Sequence, residues 1–357
     1  MNGITRSCDK DDPPTNNPLV PRNRINSINP LIMKALYTAC LFCWAAIALS
    51  AQQLPLFGQY RENHALINPA SLSPNYWALG SAHLRSSAGI TYRRQWTGLS
   101  DGPLTLTAHF ETISPKKLRS AFGMNLISDK TGPTGQNGGQ LRYAYLIMDD
   151  DNGRWLSAGF SAGYYQAYYR GDQAILRDPG DVLGTKNVVT GQVDASGGVF
   201  YAGQMGDEDK VFYCGFSIMQ IASVNFSEGL KRTPHFYGNI GLYKKMADGD
   251  GYEYFVEPSA WVRYVPHVPI QVDLTCRFHT PHYFWVGIGQ SFSVSTADGG
   301  KPVKGNNLLF EAGLTLGEEQ GLGANALRLG FGYHRSFTRF GADLGSSYEF
   351  NTTYIWQ

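Results

Sequence analysis

An excess of charge of one sign is missing from this sequence. Lys plus Arg number 30 and Asp plus Glu 29, a formal net charge of +1. So balanced a chain offers no electrostatic footprint for nucleic acid and no acidic or basic tail. Cysteine is scarce, with 5 in all, and only Cys214 and Cys276 lie beyond residue 51. Those two make no disulfide framework, and the eight histidines are too scattered for metal-ligand spacing. No GxSxG nucleophile elbow and no phosphate-cradling loop occurs. The expectation is therefore a non-enzymatic protein with no cofactor. Long apolar runs are also missing. The one such run, residues 35–49, is shorter than the ~20 residues a transmembrane helix needs.

The setting of that run gives it another meaning. Met33 and Lys34 precede it, and Ser50-Ala51 followed by Gln52 closes it. A positive start, an apolar centre and small residues at the end describe a Sec signal peptide over residues 33–51. Cleavage is expected after Ala51, with Ala48 as the alternative. Residues 1–32 are polar and rich in Pro and Asn, without an apolar period. They read as translation from an upstream start or as a disordered arm.

Glycine and aromatic residues are what the rest of the chain has in quantity. Of 41 glycines only Gly3 precedes residue 52, and aromatics make up 13% of the chain. The average share of glycine is ~7%. Period-2 alternation runs through the mature region. In residues 254–292, Ile270, Val272, Leu274, Cys276 and Phe278 alternate with Gln271, Asp273, Thr275, Arg277 and His279. Phe284, Val286 and Ile288 then alternate with Trp285, Gly287 and Gly289. A strand turns successive side chains to opposite faces, so each segment has one apolar and one polar face. About fifteen such segments follow one another to the C-terminus, the first (residues 78–86) being weak. Gly135 to Gly139 reads as a turn. Residues 171–191 form the longest strand-free interval, which suits an external loop.

The polar faces collect Arg142, Glu257, Arg263, Asp273, Arg277, His279, Glu311 and Arg328. A soluble sandwich would turn these to water. So many strands without a domain break, together with aromatics on the apolar face, point instead to a transmembrane antiparallel β-barrel. A charge facing lipid at midplane costs about 2–4 kcal/mol, which explains the strict phase. Closed bacterial barrels have even strand numbers, so the reading is all-β, about fourteen strands over residues 76–357. The listed charges then face the lumen, and both cysteines face lipid. Residues 52–75 have no strict period. They read as an ordered segment in or under the barrel, a simple leader to the first strand being the alternative. Glu257, Asp273 and Glu311 read as solvated or salt-bridged lumen carboxylates.

Several stretches together resemble the PorP/SprF family of type IX secretion membrane proteins of Bacteroidetes. They are FGQYRENHALINPAS (57–71), TYRRQWTGL (91–99), LISDKTGP (126–133), GQVDASGGVFY (191–201), EPSAWVRYVPHVPIQVDLTCRF (257–278) and FWVGIGQSF (284–292). The residues carrying the resemblance are Gln59, Tyr60, Asn68, Pro69, Ala70, Tyr92, Arg93, Gln95, Trp96, Asp129, Gly132, Pro133, Pro258, Tyr264, Pro269 and Asp273. Structural roles are expected for them, with Trp96 as an interface anchor and Asn68-Pro69 as a turn. The resemblance implies an outer-membrane barrel in secretion or gliding machinery. It implies as partners a cargo protein with a C-terminal sorting domain, a periplasmic peptidoglycan-binding protein and secretion ring components. The alternative is a diffusion porin or a hydrophobic-substrate transporter.

Overall fold

A computed structural model describes residues 57–71, 85–114, 119–149, 154–174, 184, 186–205, 207–221, 224–225, 233–247, 253–266, 268–280, 284–294, 302–337 and 341–357. The expected leader and residues 1–32 lie outside the described residues. Fifteen strands form one sheet, and fourteen of them close into a ring. In chain order these are β1 (Ser86–Arg94), β2 (Leu104–Ile113), β3 (Ser120–Thr131), β4 (Thr134–Asp149) and β5 (Trp155–Arg170). Then come β6 (Asn187–Met205), β7 (Asp207–Met219), β8 (His235–Ala247), β9 (Glu253–Tyr264) and β10 (Ile270–His279). β11 (Phe284–Val294), β12 (Pro302–Leu316), β13 (Ala326–Ser336) and β14 (Ser346–Trp356) complete it. The fifteenth, Val224–Asn225, is a two-residue strand lying against β6. Each ring strand pairs antiparallel with the next, and β14 returns to β1 with Ser86 opposite Trp356.

Closure removes every sheet edge, which is the condition for a sheet to sit in hydrocarbon. The apolar phase points outward: Leu141 is 66% exposed, Ile288 53% and Leu274 47%. Cys276 is exposed on this outer face and Cys214 is half-buried. The polar phase points inward and is buried, Arg277 to 1% and Glu257 to 0%. An inverted burial of this kind, apolar out and charged in, identifies a membrane wall.

Some local expectations need correction. Gly135 to Gly139 is not a turn but part of β4. These glycines clear room for β5: a Cβ on Gly138 would lie 2.3 Å from the Tyr165 ring, and one on Gly135 2.3 Å from the Tyr168 hydroxyl. The turn sits earlier, at Gly132-Pro133, where Gly132 adopts a φ of +55°. The interval after β5 is shorter than expected, because β6 begins at Asn187 and pairs Val188 and Val189 with Tyr169 and Tyr168. The weak first segment falls mostly outside the described residues, and β1 starts at Ser86. The aromatic content is also divided. Trp261, Trp285, Tyr213, Tyr237 and Tyr243 are buried on the inner side, so not all of it forms an outer girdle.

Candidate functional site

The lumen holds residues 57–71. This stretch could not form a strand, since it has no period-2 phase and ends in Asn68-Pro69. It makes tight turns instead, with one helical turn, α1 (His64–Ile67). Pro69 biases Asn68 to extended backbone, which ends the turn of helix. The Asn68 side chain then accepts a hydrogen bond from the Ala70 N–H at 2.9 Å and donates to the Val199 carbonyl of β6 at 3.0 Å. An Asx turn of this kind fixes the chain's direction locally.

Apolar side chains of the segment make the interior's main hydrophobic cluster. Phe57, Tyr60, Leu66 and Ile67 pack with Met219, Tyr237 and Trp261 of the wall. Tyr60 stacks on Trp261 at 5.2 Å between centroids and donates to Ser259 Oγ at 2.6 Å. Full burial of such side chains contributes about 1.5–3 kcal/mol each.

Ion pairs around the ring hold the polar part. Glu62 accepts from Arg277 at 2.9 Å and from Arg328 Nε and Nη2, both at 3.0 Å. Arg277 in turn clasps Glu311 through Nε at 2.8 Å and Nη2 at 2.7 Å. Both guanidinium groups lie over the Trp285 ring, 4.3 and 4.8 Å from its centroid. Burial by itself would raise the Glu62 carboxyl, but Arg328 and Arg277 outweigh it and hold it well below the usual carboxylate range. Arg61 pairs with Glu257 and with the Tyr243 hydroxyl, its guanidinium between the Tyr213 and Tyr243 rings at 5.0 and 5.1 Å. Glu257 also accepts from Tyr213 at 3.0 Å and contacts His279 Nε2 at 2.9 Å.

Farther round the ring, Glu349 accepts from the Gly58 and Gln59 N–H groups at 2.8 and 3.1 Å and from Arg93 at 2.6 Å. Arg142 donates to the Ser71 carbonyl at 2.7 Å and pairs with Glu111, which lies 3.5 Å from His64 Nε2. Ser157 Oγ donates to the Ala70 carbonyl at 2.7 Å. The segment passes close to the wall at a paired notch. Gly159 faces Gly198 across β5 and β6. A Cβ on Gly159 would lie 2.6 Å from the Pro69 carbonyl oxygen, and one on Gly198 2.2 Å from Asn68 Oδ1. Beside the segment, a gap lined by Phe57, Leu66, Ile127 and Tyr165 has only about 20 Å³.

Compared with known families, residues 49–354 match the type IX secretion system membrane protein PorP/SprF. The chain belongs to this family. Curated protein sequences give no match. Among solved structures, a Pseudomonas aeruginosa FadL homologue is similar at 10% identity and a TM-score of 0.47, with 83% of this chain and 94% of that one covered. CdiB from Acinetobacter baumannii gives 8% identity and a TM-score of 0.43 over 76% of this chain, which spans 60% of that protein's length. The CymD monoaromatic hydrocarbon channel gives 8% and 0.42, over 87% of this chain and 94% of that one.

Within this PorP/SprF barrel the sequence-marked residues separate into groups. Gln59, Tyr60, Asn68, Pro69, Ala70, Arg142, Glu257, Arg277, His279, Glu311 and Arg328 come together around the segment, as does Arg93. Arg263 and Asp273 pair with each other at 2.8 Å, with Arg263 over the Trp261 ring at 4.3 Å. Asp129 accepts from Thr105 at 2.6 Å, and Gln95 closes the loop after β1 by donating its N–H to the Pro103 carbonyl. Tyr92, Pro258 and Tyr264 face outward, Pro269 leads into β10, and Gly132-Pro133 is a hairpin turn. Trp96 is 38% exposed in a left-handed backbone with φ 53°.

Sequence reasoning missed Arg61, Glu62, Asn63 and His64. A signal was present. These consecutive polar residues stand between Phe57-Tyr60 and Leu66-Ile67 in a stretch with no strand phase. That composition suits neither lipid nor bulk water, and it fits a polar lumen.

Proposed function

We propose that this barrel is a non-enzymatic outer-membrane component of type IX secretion or gliding machinery. It supports secretion or surface anchoring of particular cargo bearing a C-terminal sorting domain. It reaches the outer membrane after Sec export, with the leader starting at Met33 and removed at Ala51. Its partners are that cargo, a periplasmic peptidoglycan-binding protein and the secretion ring components. The carrying observation is the family match over residues 49–354. The occupied lumen supports it further: segment 57–71 is tied to wall residues on several sides and takes up space that solutes would cross, which weighs against a diffusion porin or hydrophobic-substrate transporter.

Deleting the gene is expected to remove one or a few specific proteins from the cell surface, read by surface biotinylation and mass spectrometry. General outer-membrane permeability to small antibiotics should stay the same. An unchanged surface proteome together with reduced uptake of small solutes would favour the transporter instead.

A further inference from the structure

A plug needs only volume. Apolar side chains of matching size would fill the lumen at no greater cost, because burying ions carries a desolvation penalty that pairing only offsets. Yet the segment's centre is an adjacent Arg–Glu pair, and the wall meets each half with a separate pocket. One pocket offers the Glu257 carboxylate together with the faces of the Tyr213 and Tyr243 rings, a receptor for a guanidinium. The other offers Arg277 and Arg328 stacked on Trp285, a receptor for a carboxylate. Planar guanidinium forks recognise carboxylates with defined geometry, and aromatic rings recognise guanidinium groups. Trp285 Nε1, buried at the base of the second pocket, has no hydrogen-bond partner among the described residues.

We propose that the wall is a two-pocket receptor for a basic–acidic residue pair. Arg61-Glu62 is its resident occupant, and the ligand class is a peptide segment carrying an adjacent Arg–Glu pair, which takes the resident's place. Emptying the pockets outright would take the Glu62 carboxylate from buried Arg328 and the Arg61 guanidinium from buried Glu257, a strongly unfavourable state. Exchange of one Arg–Glu pair for another avoids that state. The inference rests on these contacts alone and stands whether or not the barrel handles secreted cargo.

The test uses the purified full-length Arg61→Ala/Glu62→Ala barrel in detergent and a fluorescent synthetic peptide of residues 57–71. A second peptide exchanges its Arg and Glu. Fluorescence anisotropy should show the native-sequence peptide binding the variant at least about tenfold tighter than the exchanged one, a difference of about 1.4 kcal/mol. The wild-type barrel, its pockets filled, should bind the native peptide at least about tenfold more weakly than the variant does. Equal binding of both peptides, or no binding by a folded variant, overturns the proposal. Should the double variant not show the heat-modifiable migration of a folded barrel, Glu62→Gln, which keeps the side chain's shape, is read by the same criteria.

Discussion

Arg277→Ala is expected to destabilise the barrel by about 3–5 kcal/mol, the range for breaking a buried ion pair from one side. Three of its nitrogens are engaged, one on Glu62 and two on Glu311. Its removal leaves Glu311 buried to 4% without its clasp and takes one guanidinium partner from Glu62. Urea unfolding in lipid vesicles, followed by tryptophan fluorescence, measures the loss. Arg277→Lys should recover only part of it, because a point charge cannot reproduce the bidentate fork. A loss below about 1 kcal/mol, as for an exposed pair, would mean that water reaches these groups.

Gly159→Leu is expected to push segment 57–71 out of its seat. The added side chain meets backbone, with the Pro69 carbonyl oxygen at 2.6 Å and Ala70 Cα at 2.7 Å from the new Cβ, so no side-chain rotation relieves it. Overpacking of this kind costs about 1–3 kcal/mol. Arg61 supplies the readout, being a tryptic site that is 3% exposed in the folded protein. Where opening is fast relative to cleavage, the cutting rate follows the open population. Cleavage after Arg61 should rise roughly 5- to 150-fold. Gly238→Leu is the control, since nothing lies within 4 Å of its added Cβ. Equal cleavage of both variants would count against the seating described here.

The wall was legible because a membrane barrel writes its phase into every strand. Leu274, Cys276 and Phe278 against Asp273, Arg277 and His279 could satisfy both solvents in only one orientation. Strand boundaries were less legible where glycine intervened. Gly135 to Gly139 carries turn composition, and only the tyrosines of the neighbouring strand explain why those positions are bare. Asn187 to Gly191 hid the start of β6, because adjacent Val188 and Val189 are both exposed and break the alternation, and Thr190 is the first buried residue. The direction of the wall charges was legible, but their partners were not. Arg277, Arg328 and Glu311 lie far from Glu62 in the chain, and no local pattern joins them. The family residues Gln59, Tyr60 and Asn68 were marked by resemblance, whereas their reason, a segment tied into the lumen from many sides, is visible only in three dimensions.

The chain's own segment 57–71 occupies the lumen. Single-channel recording of the purified wild-type barrel in planar bilayers tests it most directly. No steady conductance above the bare bilayer is expected, with openings appearing in Gly159→Leu. A stable ohmic pore in the wild-type protein would contradict it.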